Sequence, residues 1–263
     1  MNFEIEGNTA LITASSRGLG KAAARSLVLE GVNVVVNGRN EENLTKTVEE
    51  LSNLSGGRVI GQAGDITKKE DIAKLVEVAY QEFGRLDHLV TSAGGPPDLL
   101  FEETSDQDWY ESFDLLVMSV VRLVRESLKY LREGEGGTIV NITSISVKEA
   151  IPGLVLSNSV RMSVIGLMKT LARELGPEIR VNAILQSAHE TDRITNLIES
   201  GLAGDKFSSY QEGLDFYAED VPLKRIGQPE ELGDLAAFLS SPRSSYLTGA
   251  AIPLDGGSSR SNL

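Results

Sequence analysis

The chain has 263 residues, 41% of them hydrophobic, no cysteine and a formal net charge of -13. That apolar share suffices for a core and excludes a disordered chain, and the missing cysteines exclude disulfides, thiolate catalysis and cysteine-type zinc sites. The acidity disfavours a nucleic-acid partner, which needs a concentrated basic surface, and no apolar run of about 18 residues offers a membrane span.

The opening Met1-Asn2-Phe3-Glu4-Ile5-Glu6 is acidic and lacks the basic-then-apolar order of a signal peptide, so a cytoplasmic protein is expected. Short apolar runs then alternate with amphipathic stretches. Thr9 to Thr13 reads as a buried strand, Gly18 to Glu30 as a helix and Asn33 to Asn37 as a strand with three successive valines. Glu41 to Leu54 is a helix with a charged face, Val59 to Gln62 a strand, Lys68 to Phe83 a helix and Leu86 to Thr91 a strand. Asp106 to Leu131 reads as one long helix, with Phe113, Val117, Val120, Val124, Leu128 and Leu131 along one stripe. Thr138 to Ile142 is a strand, Gly153 to Leu175 a helix and Ile179 to Leu185 a strand.

Residues 192–220 are polar, contain glycine and are weakly periodic, which suggests a flap over a site. Pro229 opens a helix through Leu239, and Ala250 to Leu254 closes the chain with a strand. The alternation predicts one α/β domain over 1–263. Its architecture is a Rossmann-like, doubly wound parallel sheet of about seven strands flanked by helices.

Thr13-Ala14-Ser15-Ser16-Arg17-Gly18-Leu19-Gly20 joins the first strand to the first helix. Such a turn aims backbone N–H groups at a pyrophosphate, with Gly18 admitting the phosphate and Gly20 letting the helix pack closely. Ala14 adds a methyl group to this tight turn. It costs little if its φ is negative, whereas a positive φ would force the loop to relax. After the second strand comes Asn37-Gly38-Arg39, with no acidic residue to hold a ribose 2′-hydroxyl. Arg39 and Arg17 either clamp a 2′-phosphate or are solvated surface charges. The first alternative favours NADP over NAD.

These segments resemble the short-chain dehydrogenase/reductase family over nearly the whole chain, and its 3-oxoacyl-carrier-protein reductases above all. The loop resembles that family's Thr-Gly-x-x-x-Gly-x-Gly, with Ala14 for the first glycine. Asp65-Ile66 resembles its adenine contact, and Ala93-Gly94 the end of its Asn-Asn-Ala-Gly. Thr191 matches a threonine near the nicotinamide. The resemblance implies that Thr13, Ser15, Ser16, Arg17, Gly18, Leu19, Gly20, Arg39, Asp65, Ile66, Ala93, Gly94 and Thr191 bind the dinucleotide.

The family's proton chemistry uses a Tyr-x-x-x-Lys pair, a serine and an asparagine. Ser144 matches the serine, but the pair falls on Ser157 and Arg161 and the asparagine on Leu116. Serine is a far weaker acid than a phenol, and arginine ordinarily stays protonated above pH 12. His189, after the sixth strand, is either a replacement acid or a hydrogen-bonded loop residue. Lys148 and Tyr210 are further candidates. With only His88 and His189 in the chain, no histidine metal site is expected.

Two functions follow. One is an NAD(P)-dependent oxidoreductase that reduces a small-molecule carbonyl or oxidises a secondary alcohol by an atypical proton route, with Ser144, Ser157, Arg161 and His189 as its catalytic candidates. The other is a dinucleotide-binding sensor or structural partner with little or no turnover. The family's pairing of its long helices implies a homo-oligomer, a tetramer or a dimer.

Overall fold

Successive strand residues point to opposite faces of a sheet, and here both faces are apolar. Leu11 enters one core while Ala10 and Ile12 enter the other, and Val35 parts from Val34 and Val36 in the same way. Strands buried on both sides form continuous apolar runs, as in parallel sheets covered by helices. The structure, a computed structural model, describes residues 2–134 and 136–262. The single-domain expectation over 1–263 also spans Met1, Glu135 and Leu263, which lie outside the described residues.

Seven strands form one parallel sheet: β1 Thr9–Ile12, β2 Asn33–Gly38, β3 Val59–Ala63, β4 His88–Thr91, β5 Gly137–Ser144, β6 Ile179–Gln186 and β7 Ala251–Leu254. Their order is β3-β2-β1-β4-β5-β6-β7, the doubly wound arrangement expected from the sequence. The helices are α1 Gly18–Leu29, α2 Glu41–Ser52, α3 Lys69–Phe83, α4 Asp106–Phe113, α5 Ser119–Leu131, α6 Val155–Glu174, α7 Asp192–Ala203, α8 Tyr210–Ala218 and α9 Pro229–Ser240. One core lies under α3, α5 and α6 and includes Leu75, Leu123 and Val164; the other lies under α1, α2 and α9 and includes Leu27, Leu44 and Leu232. Among the described residues no helix is long and apolar enough to cross a membrane.

Ile12 of β1 pairs with Val36 of β2 on one side and Val90 of β4 on the other. The strand order reverses here, so a crevice opens at the C-terminal ends of β1 and β4.

Two segments differ from the sequence expectation. The long helix over 106–131 is interrupted by a π-helical turn, Asp114–Met118, between α4 and α5. Ser112 and Ser119 flank it and donate back to the carbonyls of Asp108 and Leu115 at 2.6 and 2.5 Å, a habit of serine that bends helices. Arg122 secures the turn, bonding Asp114 and the Thr67 carbonyl. Residues 192–220, expected to be weakly periodic, form α7 and α8. These helices fold over a small core of Ile194, Ile198, Phe207, Ala218 and Ile226, separate from the two beneath the sheet.

Candidate functional site

The turn after β1 is held by side chains. The Thr13 hydroxyl donates to the Ser92 carbonyl at 2.8 Å and accepts from the Ser92 amide at 2.9 Å, bolting the turn to the end of β4. Ser15 Oγ donates to the Ile12 carbonyl and accepts from the Asn37 amide, tying the turn to β2. Both hydroxyls therefore act on the scaffold, and any contact of Thr13 or Ser15 with a ligand falls to the backbone. Asn37 is the hub that sequence reading missed. Its Oδ1 accepts from the Ala14 amide, and its Nδ2 donates to the carbonyls of Gln62 and Gly64.

Within this frame Ala14 adopts φ +47°, the strained alternative raised by the sequence. Gly18 has φ +57°. A Cβ on Gly20 would lie 2.5 Å from the Ala14 carbonyl, so only glycine lets α1 begin this close to the strand. Arg17 precedes the first turn of α1 in extended backbone and is exposed, whereas Leu19 packs its side chain into the α1–α9 core.

Across the turn, a Cβ on Gly38 would lie 2.7 Å from Ser16 Cβ, so the end of β2 has no room for the acidic side chain that favours NAD. Arg39 is exposed, and neither its side chain nor that of Arg17 forms a hydrogen bond or ion pair among the described residues. Asp65 accepts from the Thr67 amide and hydroxyl at 3.0 and 2.8 Å. Burial pushes its pKa up, but these bonds and the charges of Arg39 and Lys68 outweigh burial and lower it. Ile66 is buried in the core. Ala93 packs against that core and Gly94 is exposed. Thr191 occupies the N-cap position of α7, without a capping bond from its side chain, and its Cγ2 lies 3.9 Å from the position of a Cβ on Gly18.

At the C-terminal end of β5 a line of hydroxyls leads to a guanidinium. Arg161 Nε donates to Ser157 Oγ at 3.1 Å. Ser157 Oγ lies 3.2 Å from Ser146 Oγ, and the Ser146 amide donates to Ser144 Oγ at 3.1 Å. Ser157 and Arg161 are one helical turn apart on α6, so their contact was legible; Ser146 was not singled out. Ser157 and Ser146 are buried, while Ser144 is half-buried at the crevice. Burial, then the charge of Arg193, lowers the pKa of Arg161 to about 10, below the range expected from the sequence but still cationic at neutral pH. Arg161 also lines a cavity of about 10 Å³, room for one water, together with Thr91, Leu116, Asn141 and Thr143. The Thr143 hydroxyl there is buried with no protein partner.

His189 lies elsewhere. Its ring is buried, with Nδ1 3.0 Å from the Ser187 carbonyl and Nε2 without a partner. It packs on Gly227, where an added Cβ would fall 2.7 Å from Nε2. Burial lowers its pKa, against the raising effects of the Ser187 bond and Glu231, so the ring is neutral. No hydrogen bond joins it to Ser144, Ser157 or Arg161 among the described residues. The Tyr210 hydroxyl pairs with Thr195 Oγ1 at 3.2 Å. Among the described residues no group of three or more His, Asp or Glu is placed to hold a metal ion.

Arg193, in the first turn of α7, bonds both carboxylate oxygens of Asp98 from the loop after β4, at 2.8 and 2.7 Å. This pair ties α7 to the loop after β4, and sequence reading did not anticipate it.

A family model described as enoyl-(acyl carrier protein) reductase matches residues 13–259. The 3-oxoacyl-(acyl-carrier-protein) reductase of Thermotoga maritima is 32% identical over 256 residues, covering 97% of this chain and 99% of that protein. The reductase of the same name from Aquifex aeolicus is 32% identical over 98% of this chain and 99% of its own length. The crystal structure of L-sorbose reductase from Gluconobacter frateurii, complexed with NADPH and L-sorbose, is similar with a TM-score of 0.95 and 32% identity, covering 99% of this chain and 100% of that one.

Proposed function

Because the chain belongs to the short-chain dehydrogenase/reductase family, we propose that it is an NADP-dependent oxidoreductase that interconverts a small-molecule carbonyl and its secondary alcohol. The observation that carries this reading is the line Arg161–Ser157–Ser146–Ser144, which ends in a half-buried hydroxyl at the crevice mouth.

The turn fits a dinucleotide. Gly18 and Gly20 keep side chains away from the start of α1, where backbone N–H groups gather for a pyrophosphate. Gly38 leaves the end of β2 without a carboxylate, and the side chains of Arg17 and Arg39 are exposed beside it, which supports NADP over NAD. Asp65, Ile66, Ala93, Gly94 and Thr191 complete the cradle in this reading. When bound, the dinucleotide supplies or accepts the reducing equivalents.

The chain's own residues do the rest. Ser144 Oγ accepts from the Ser146 amide, which leaves its O–H free to donate to a substrate carbonyl. Arg161 donates to Ser157 Oγ, which is also within hydrogen-bonding distance of Ser146 Oγ. The Ser146 amide fixes Ser144 Oγ in place but relays no proton, so in this proposal Ser144 polarises the carbonyl, water in the crevice supplies the proton, and His189 serves as a packing residue. The α7–α8 pair acts as a lid latched by Arg193 and Asp98. The exposed Tyr110 and Phe113 of α4 and Met162 of α6 support a homo-oligomer, a tetramer before a dimer, through those helices.

The test is a panel of ketones and 3-oxoacyl esters with NADPH, followed at the nicotinamide absorbance and paired with a binding titration of NADPH and NADH. Turnover with at least one carbonyl is expected. A second reading, a dinucleotide-binding protein without turnover, has its own observation: among the described residues no phenol is bonded to Ser144 or Ser157, and Tyr210 is paired with Thr195. NADPH binding with no turnover across the panel decides for it.

A further inference from the structure

Among the described residues Arg161 forms no ion pair. The residue is half-buried, and the one hydrogen bond of its guanidinium among the described residues runs from Nε to the neutral Ser157 hydroxyl. The cavity beside it is walled by Thr91, Ser92, Leu116, Asn141 and Thr143, none of them acidic. The nearby charge is a second cation, Arg193, whose own partner is Asp98. A guanidinium removed from water is ordinarily paired with an anion, because desolvation without pairing is costly. Arg180, another partly buried arginine that bonds no carboxylate, is surrounded by acceptors: it donates to the carbonyls of Ser241 and Ser244 and to the Ser244 hydroxyl. Arg161 has no such set.

We infer that the missing anion belongs to the substrate: the protein acts on an oxo acid or the corresponding hydroxy acid, whose carboxylate docks on Arg161 while its carbonyl meets Ser144. This rests on the oxidoreductase reading and names its substrate class. Ser157 and Ser146 tie Arg161 and Ser144 to one hydrogen-bonded line, which offers a planar fork for a carboxylate at one end and a single hydroxyl donor for a carbonyl at the other. A ribose hydroxyl at Arg161 would leave the cation uncompensated. Arg193, held at the rim by Asp98, adds positive field without closing the site. Reduction balances as oxo acid + NADPH + H⁺ giving hydroxy acid + NADP⁺.

The experiment compares oxo acids with their methyl esters (pyruvate, acetoacetate and levulinate against the matching esters) in the wild type, Arg161→Met and Arg161→Lys, reading kcat/KM for each. Calorimetry of the hydroxy acids in the presence of NADP⁺ runs beside it. The wild type is expected to prefer acid over ester about 100-fold. Arg161→Lys, which keeps the charge and guards against a folding artefact, retains at least a tenth of that preference, and Arg161→Met abolishes it. Esters used as well as acids by the wild type, or a preference that survives Arg161→Met, overturns the inference. So does an Arg161→Met variant that loses NADPH affinity alone with its acid-to-ester ratio intact, which assigns Arg161 to the ribose. If NADPH binds and neither acids nor neutral ketones react, the oxidoreductase reading fails by itself. Calorimetry then decides the anion site: hydroxy-acid binding removed by Arg161→Met upholds it, and no binding overturns it.

Discussion

Gly38 and Ser16 exclude one another's bulk: a Cβ on Gly38 would fall 2.7 Å from Ser16 Cβ. An acidic residue at 38 therefore cannot enter without moving the phosphate turn. Gly38→Asp is expected to weaken NADPH binding at least about tenfold and to gain little for NADH, unless Ser16→Gly is added to make room. Arg17→Ala and Arg39→Ala should each weaken NADPH about tenfold, the value of a charge-assisted hydrogen bond, and leave NADH within about twofold. Fluorescence titration of the reduced cofactors checks each outcome.

Ala14 sits at φ +47° because Asn37 accepts from its amide at 3.2 Å and Ser15 is bonded on both sides to β1 and β2. The turn over-determines a conformation that alanine disfavours. Ala14→Gly is expected to stabilise the fold by about 0.5–1 kcal/mol. Urea denaturation reads the gain, and an unchanged midpoint would show the turn to be unstrained.

In the hydroxyl line each residue has a separate expected effect. Ser144→Ala removes the donor to the carbonyl and should lower kcat about 100-fold, with the KM for NADPH unaltered. Ser157→Ala frees Arg161 Nε and should cost about tenfold, chiefly in kcat. Installing Ser157→Tyr with Arg161→Lys supplies a phenol of adjustable pKa and should raise kcat on neutral ketones. Steady-state kinetics on the same carbonyl panel measures all three.

His88 gives the fold an acid limit. Its Nδ1 lies 2.8 Å from Thr138 Oγ1 and its Nε2 3.0 Å from Asn8 Nδ2. Arg85 donates to Asn8 Oδ1, which turns the Asn8 amino group toward the ring. Nε2 must then accept and Nδ1 must carry the proton, so the neutral ring fits and the imidazolium does not. Burial, with the charges of Arg180 and Arg85, pushes the His88 pKa down to about 4 against the pull of Asp87. Between about pH 6.5 and 4 the unfolded chain binds the proton that the native one refuses, so stability falls as pH falls through that window. The loss is on the order of 3 kcal/mol. Urea denaturation at pH 7 and pH 4.5 should show a smaller decline in His88→Gln than in the wild type.

The strands and the phosphate turn were legible because buried parallel strands and a strand–glycine turn–helix leave local signatures, as in Val34-Val35-Val36 and Gly18-Leu19-Gly20. The contact of Arg161 with Ser157 followed from their spacing on α6. Other features depend on remote partners. The burial of His189 comes from Gly227, far along the chain, and Asn37 becomes a hub only when β1, β2 and β3 lie side by side. The π turn at Asp114–Met118 keeps an apolar spacing close to that of an α-helix, so the stripe alone cannot show it. In α7 the signal was present, since Ile194, Ile198 and Leu202 recur at four-residue intervals, but intervening polar and glycine residues masked it. Ser209, which accepts from the Glu212 amide, marked the start of α8.

The α7–α8 pair carries its own apolar nucleus of Ile194, Ile198, Phe207, Ala218 and Ile226, walled off from the sheet. In the lid proposed above, a body built this way is expected to swing as one piece. Its displacement would break rim contacts such as that between Arg193 and Asp98 while leaving its own oily interior dry, so admitting a guest molecule would not require partial unfolding of the host.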